Sequence, residues 1–120
     1  MSEQARKPFH HPRVRPDWLS KVNEAIIDPE LPIVDPHHHL WARSAPYLVP
    51  ELLSDLTCGH AIRASVYVEA GFAYRKDGDP RFASVGEVEY ANGVGALFAS
   101  GYHGPIRACA GIVFDSGQSE

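Results

Sequence analysis

Cysteine is scarce. Cys58 and Cys109 are the only two, they stand far apart, and they form no CxxC pair. This excludes a disulfide-dense scaffold and a paired-thiol zinc site. Both read as reduced thiols, with a single disulfide as the alternative. Long apolar runs are also missing: no stretch approaches the roughly 18 to 20 apolar residues a membrane span needs. No block of Lys or Arg occurs, and the net charge is −4. A nucleic-acid partner therefore has no electrostatic footing. Residues 1–15 are basic and polar with no apolar stretch behind them, so no secretory leader is expected. These absences leave a globular chain expected in the cytoplasm, with neither membrane nor nucleic acid as partner.

What is present is ordinary in bulk and unusual in one place. Across 120 residues, 44% are hydrophobic and 22% charged, enough for one modest core. Histidine stands out: there are seven, and three of them, at 37, 38 and 39, are consecutive.

Residues 1–15 read as a flexible arm, because Pro8, Pro12 and Pro16 interrupt any period. A helix is expected next, capped by Asp17, with Trp18, Val22 and Ile26 on one face, and ended by Pro29. Residues 31–34 read as a short buried strand. Pro50 opens a helical turn carrying Leu52, Leu53 and Leu56, which Gly59 stops. Residues 61–70 alternate. Ile62, Ala64, Val66, Val68 and Ala70 share one face; Arg63, Ser65, Tyr67 and Glu69 share the other. Ser84 and Glu87 fit a capping box before a helix that runs to Gly101. Its glycines at 86, 93 and 95 weaken it but permit close packing on a sheet. Residues 106–114 read as a third strand, and residues 115–120 as a polar tail. Strands alternating with helices predict an α/β fold with parallel pairing.

The chemistry concentrates in Asp35-Pro36-His37-His38-His39. On an extended strand, residues i and i+2 point the same way, roughly 6.5 to 7 Å apart along the chain. His37 and His39 can then both reach one divalent ion, which takes neutral imidazole at about 2.0 to 2.1 Å when it is zinc. His38 points elsewhere and reads as a packing or solvated residue. Asp35 shares the parity of the pair and is placed to bind or to orient a ligand.

The stretch Leu31-Pro-Ile-Val-Asp-Pro-His-His-His-Leu-Trp41 resembles the first-strand signature of the amidohydrolase superfamily, in its branch of amidohydrolase-related TIM-barrel hydrolases and lactonases. Arg15-Pro-Asp-Trp-Leu19, Ala64-Ser-Val-Tyr-Val-Glu-Ala-Gly71, Gly86-Glu-Val-Glu-Tyr-Ala-Asn-Gly93 and Arg107-Ala-Cys-Ala-Gly-Ile-Val113 resemble it too. The likeness spans residues 13–113. It implies a (β/α)8 barrel over residues 16–114 and a divalent metal, zinc first, on His37 and His39. It further implies hydrolysis of lactones, esters or related carboxylated small molecules by metal-activated water. Glu69, at the end of the second strand, falls where such proteins place a residue that contacts substrate or supports the site. Arg75 and Lys76 follow on the next loop, where they meet an anionic substrate or stay solvated; Glu89 reads as solvated, and His60 and His103 match nothing.

The chain departs from that pattern in length. A full barrel needs around 250 residues, and about three strands are legible here. No later-strand histidine or terminal aspartate is found, so no catalytic residue is assigned. The expectation is a fragment of a metal-dependent hydrolase, inactive alone, holding its metal weakly. The competing expectation is a non-catalytic truncated remnant, unstable or dependent on another chain. A small metal-carrying module is a third reading, for which His10 and His11 are the only additional candidates. Three parallel strands with open edges predict marginal stability, aggregation or association with another chain.

Overall fold

Pro32 opens the first strand and Pro36 sits in its bulge, two places where a sheet tolerates the missing N–H. In the computed structural model, which describes residues 13–43 and 45–115, the elements run α1 (Pro16–Leu19), β1 (Pro32–His38), α2 (Val49–Leu56), β2 (Ala61–Val68), α3 (Val85–Ala99) and β3 (Arg107–Val113), with a 3₁₀ turn at Pro80–Phe82. The strands form one parallel sheet in the order β1-β2-β3. The chain is thus a mixed α/β fold around a three-stranded parallel sheet. Residues 1–12 of the expected arm, with His10 and His11, and residues 116–120 of the expected tail lie outside the described residues.

Three local expectations change. The helix expected from Asp17 to Ile26 is a single turn of four residues with Arg15 at its N-cap. Asp17 caps nothing and instead pairs with the Arg15 guanidinium at 3.1 Å. Trp18 and Val22 are 61% and 68% exposed; with no surface to pack on, so short an amphipathic segment has nothing to hold it helical. The expected strand at 31–34 is neither buried nor complete. β1 continues through the histidines to His38, while Leu31 and Val34 remain exposed. In β2, the helix layer covers Ser65 and Tyr67, not the apolar alternates: Ser65 and Tyr67 are fully buried.

Helices α2 and α3 pack on one and the same sheet face. The core there joins Leu40, Leu52, Leu56, Tyr67, Ala91, Val94, Phe98, Ala108 and Cys109. Helix α2 turns Leu52 and Leu56 inward, and the Glu51 carboxylate accepts the Leu48 N–H at 2.8 Å to close its first turn. On the opposite face, Val34 and Val113 are 58% and 53% exposed. Both outer strands present an unpaired edge among the described residues. No helix of the described residues is long and apolar enough to cross a membrane.

The glycines of α3 divide as packing requires. A Cβ at Gly95 would stand 2.9 Å from the Cys109 carbonyl oxygen, whereas one at Gly93 meets nothing within 4 Å. Gly93→Ala should therefore raise stability by about 0.5–1 kcal/mol through helix propensity. Gly95→Ala should lower it by about 1–3 kcal/mol by forcing α3 off β3. Thermal unfolding of the two variants side by side checks the opposite signs.

Candidate functional site

The sheet register determines where the histidines go. Asp35 pairs with Ser65 and His38 with Tyr67, so β1 spends two residues where β2 spends one. This bulge re-aims the side chains around it. Asp35 holds it: its Oδ1 accepts the His37 backbone N–H at 3.0 Å. Asp35 therefore shapes the backbone under the pair; this bond reaches neither ring.

His37 and His39 come together on the open face. Their Nε2 atoms lie 3.2 Å apart, and the rings meet edge to face at 83°. His39 Nδ1 lies 2.7 Å from the Val68 carbonyl oxygen. A carbonyl only accepts, so Nδ1 carries the proton, and in the neutral ring Nε2 is left with its lone pair facing His37. A carbonyl on the far nitrogen is the usual way a metal-binding histidine is oriented. An ion about 2.0–2.1 Å from both nitrogens would subtend roughly 100° at the metal, close to tetrahedral. The separation of the two nitrogens matches that of two ligands on one divalent ion, which would require the rings to turn out of their present mutual contact. Among the described residues, no group of three or more His, Cys, Asp or Glu side chains gathers around one point.

The rest of the strand ends frames this mouth. Trp41 stacks on His39 at 5.5 Å, and the Arg43 guanidinium lies 5.2 Å over the indole. Glu69 is half-buried, and its backbone N–H donates to the Val113 carbonyl at 3.1 Å. Arg75 is paired with Glu89 and is not held at the mouth. Lys76 is exposed, and the His103 ring lies tilted against Phe98 at 4.8 Å.

His38 turns to the opposite, buried face. Its Nε2 is 2.9 Å from Ser65 Oγ and 3.8 Å from Cys109 Sγ. Burial is the main cause holding its pKa below the ordinary value. Ser65 Oγ also accepts the Cys109 N–H at 3.1 Å, so that His38, Ser65 and Cys109 link all three strands. Cys109 sits at φ +51 in a slip of register between β2 and β3, and this hydrogen bond helps hold a conformation few non-glycine residues adopt. Burial pushes its thiol from 9.0 up to about 11. Above about pH 9 the unfolded chain has lost this proton and the folded chain has not. The unfolded state then binds fewer protons, and stability should fall as pH rises from about 9 toward 11. Cys109→Ala should lessen that fall between pH 9 and 10, where unfolded tyrosines with an ordinary value near 10 supply part of the remainder; unfolding curves of both chains across that window check it.

Sequence reasoning missed Glu87. Instead of capping α3, it is fully buried, and Ser84 makes no side-chain cap bond. Its carboxylate accepts the Tyr67 hydroxyl at 2.6 Å and the Ala70 N–H at 2.6 Å on Oε1, and the Gly71 N–H at 3.1 Å on Oε2. Burial, and then this bond, push the Tyr67 phenol up. The available signal was spacing: Glu87, Ala91, Val94 and Phe98 lie on one helical stripe, all buried.

The fold and site define an α/β chain that carries a converging histidine pair at the strand ends of a parallel sheet. The chain matches no protein-family model, no curated protein and no solved structure.

Proposed function

We propose that the chain forms the opening strands of an amidohydrolase-type (β/α)8 barrel and supplies the first two metal ligands of its site, His37 and His39. The observation that carries this reading is the 3.2 Å approach of two Nε2 atoms, one of them fixed by the Val68 carbonyl. The one-sided helix layer supports it, because a barrel strand turns one face to the helices and the other to the interior. On this reading the exposed Val34 and Val113 face the barrel interior, and further strands pair with the open edges.

A divalent ion bound there, zinc being the first candidate, supplies Lewis acidity toward a scissile carbonyl and lowers the pKa of bound water. The chain's own residues hold and orient. Asp35 fixes the backbone beneath His37, and Val68 fixes the tautomer of His39. Glu69 stands at the end of β2, placed to contact the substrate, a lactone, ester or related carboxylated small molecule. With two ligands in place of the usual three or four, the chain alone holds metal weakly and turns over little or no substrate. A competing reading, a non-catalytic remnant that relies on another chain, draws on the open edges and the exposed valines of the sheet. Calorimetric titration of the full chain with Co²⁺ separates the two. One weakly bound ion per chain supports the hydrolase reading, and no saturable binding favours the remnant.

A further inference from the structure

Glu87 is the only acidic side chain buried among the described residues. Removing a carboxylate from water is costly unless donors meet it. An apolar side chain at this position on the Ala91–Val94–Phe98 stripe would fill the core without that cost. The carboxylate is better explained by what it holds. Two of its three donors are the amides of Ala70 and Gly71, on the segment where the backbone turns away from β2 with Gly71 at φ +76. Two residues before Ala70 stands Val68, whose carbonyl takes the His39 Nδ1–H at 2.7 Å. The Glu69 N–H is fixed in turn to Val113 at 3.1 Å. The Glu69 N–H shares a peptide plane with the Val68 carbonyl, so Val113 holds that plane directly, and Glu87 holds the two peptides that follow, limiting a rotation of this segment that would swing the carbonyl off the His39 ring.

We infer that Glu87 is a positioning residue for the histidine pair: it fixes the backbone after Val68, so that the Val68 carbonyl holds His39 with Nε2 turned toward His37. The role rests on the reading of His37 and His39 as metal ligands. The hold on the His39 ring is a property of the metal-free chain.

The test uses the full chain labelled with ¹⁵N. Long-range ¹H–¹⁵N spectra of the histidine rings, recorded without metal, report which nitrogen of His39 is protonated. The wild type should show His39 protonated at Nδ1. Glu87→Gln places an amide NH₂ against at least one backbone donor, so the His39 signal should move toward a mixture of tautomers. Co²⁺ affinity should fall about tenfold, the lower end of the loss seen when a residue supporting a metal ligand is changed. Tyr67→Phe removes the third donor and costs stability, but it leaves both amide bonds. It should keep the His39 signature and bind Co²⁺ within about twofold of wild type. The inference is overturned if Glu87→Gln leaves the His39 signal in place, or if Tyr67→Phe moves it as far. If the wild type binds no more Co²⁺ than His37→Ala/His39→Ala while Glu87→Gln still shifts the ring signal, the metal reading falls and the hold of Glu87 on His39 stands.

Discussion

A chain with both His37 and His39 changed to alanine should lose saturable Co²⁺ and Zn²⁺ binding altogether, while the wild type binds one ion. Halving the roughly 10–16 kcal/mol of a four-ligand structural zinc site leaves about 5–8 kcal/mol, a dissociation constant between about 1 and 200 μM. Each single variant should lose at least about tenfold of that, because one imidazole on a hydrated ion is barely retained. His60→Ala is the control. His60 is exposed beside the start of β2, far along the strand from the histidine mouth, and its loss should change nothing. Equal affinity in the wild type and the double variant would place any bound metal elsewhere.

The second large effect is on stability. Glu87→Ala strips the acceptor from the buried Tyr67 hydroxyl and from the Ala70 and Gly71 amides. Each donor left dry costs about 1–3 kcal/mol, and the partly exposed amides fall at the low end, so the sum is about 3–5 kcal/mol. Against the roughly 5–15 kcal/mol that holds a typical domain, this removes much of the fold. The midpoint of thermal unfolding should drop by about 10–20 °C. Glu87→Gln, which keeps one acceptor oxygen, should lose well under half as much. A Glu87→Ala chain that melts within about 2 °C of wild type would mean that this carboxylate is in water and that the β2–α3 connection is held by other contacts.

The order of strands and helices was legible because hydrophobic period and turn residues are local signals. Pro50, the leucines behind it and the alternation from Ala61 each placed an element within a few residues of its observed bounds. What failed depended on distant partners. Trp18, Val22 and Ile26 have helical spacing, but spacing forms a helix only where a surface receives it, and Trp18 and Val22 stay exposed. Alternation in β2 could not tell which face the helices would cover; Tyr67 and Ser65 lie inside because Glu87, His38 and Cys109 meet them there. Glu87 itself matched a capping box, a four-residue pattern that carries no information about a tyrosine 20 positions earlier. At the site, the i and i+2 spacing marks His37 and His39 as a pair. Their approach owes as much to the β1 bulge and to the Val68 carbonyl, neither of which the motif encodes.

The proposed hydrolase site requires the Nε2 atoms of His37 and His39 to share one ion. Crystals of the chain soaked in Zn²⁺ and measured on both sides of the zinc absorption edge address it directly. A single anomalous peak is expected about 2.0–2.1 Å from both nitrogens, with His39 Nδ1 still on the Val68 carbonyl. A peak on one ring alone, or rings that remain in contact with each other while zinc binds elsewhere, would contradict it.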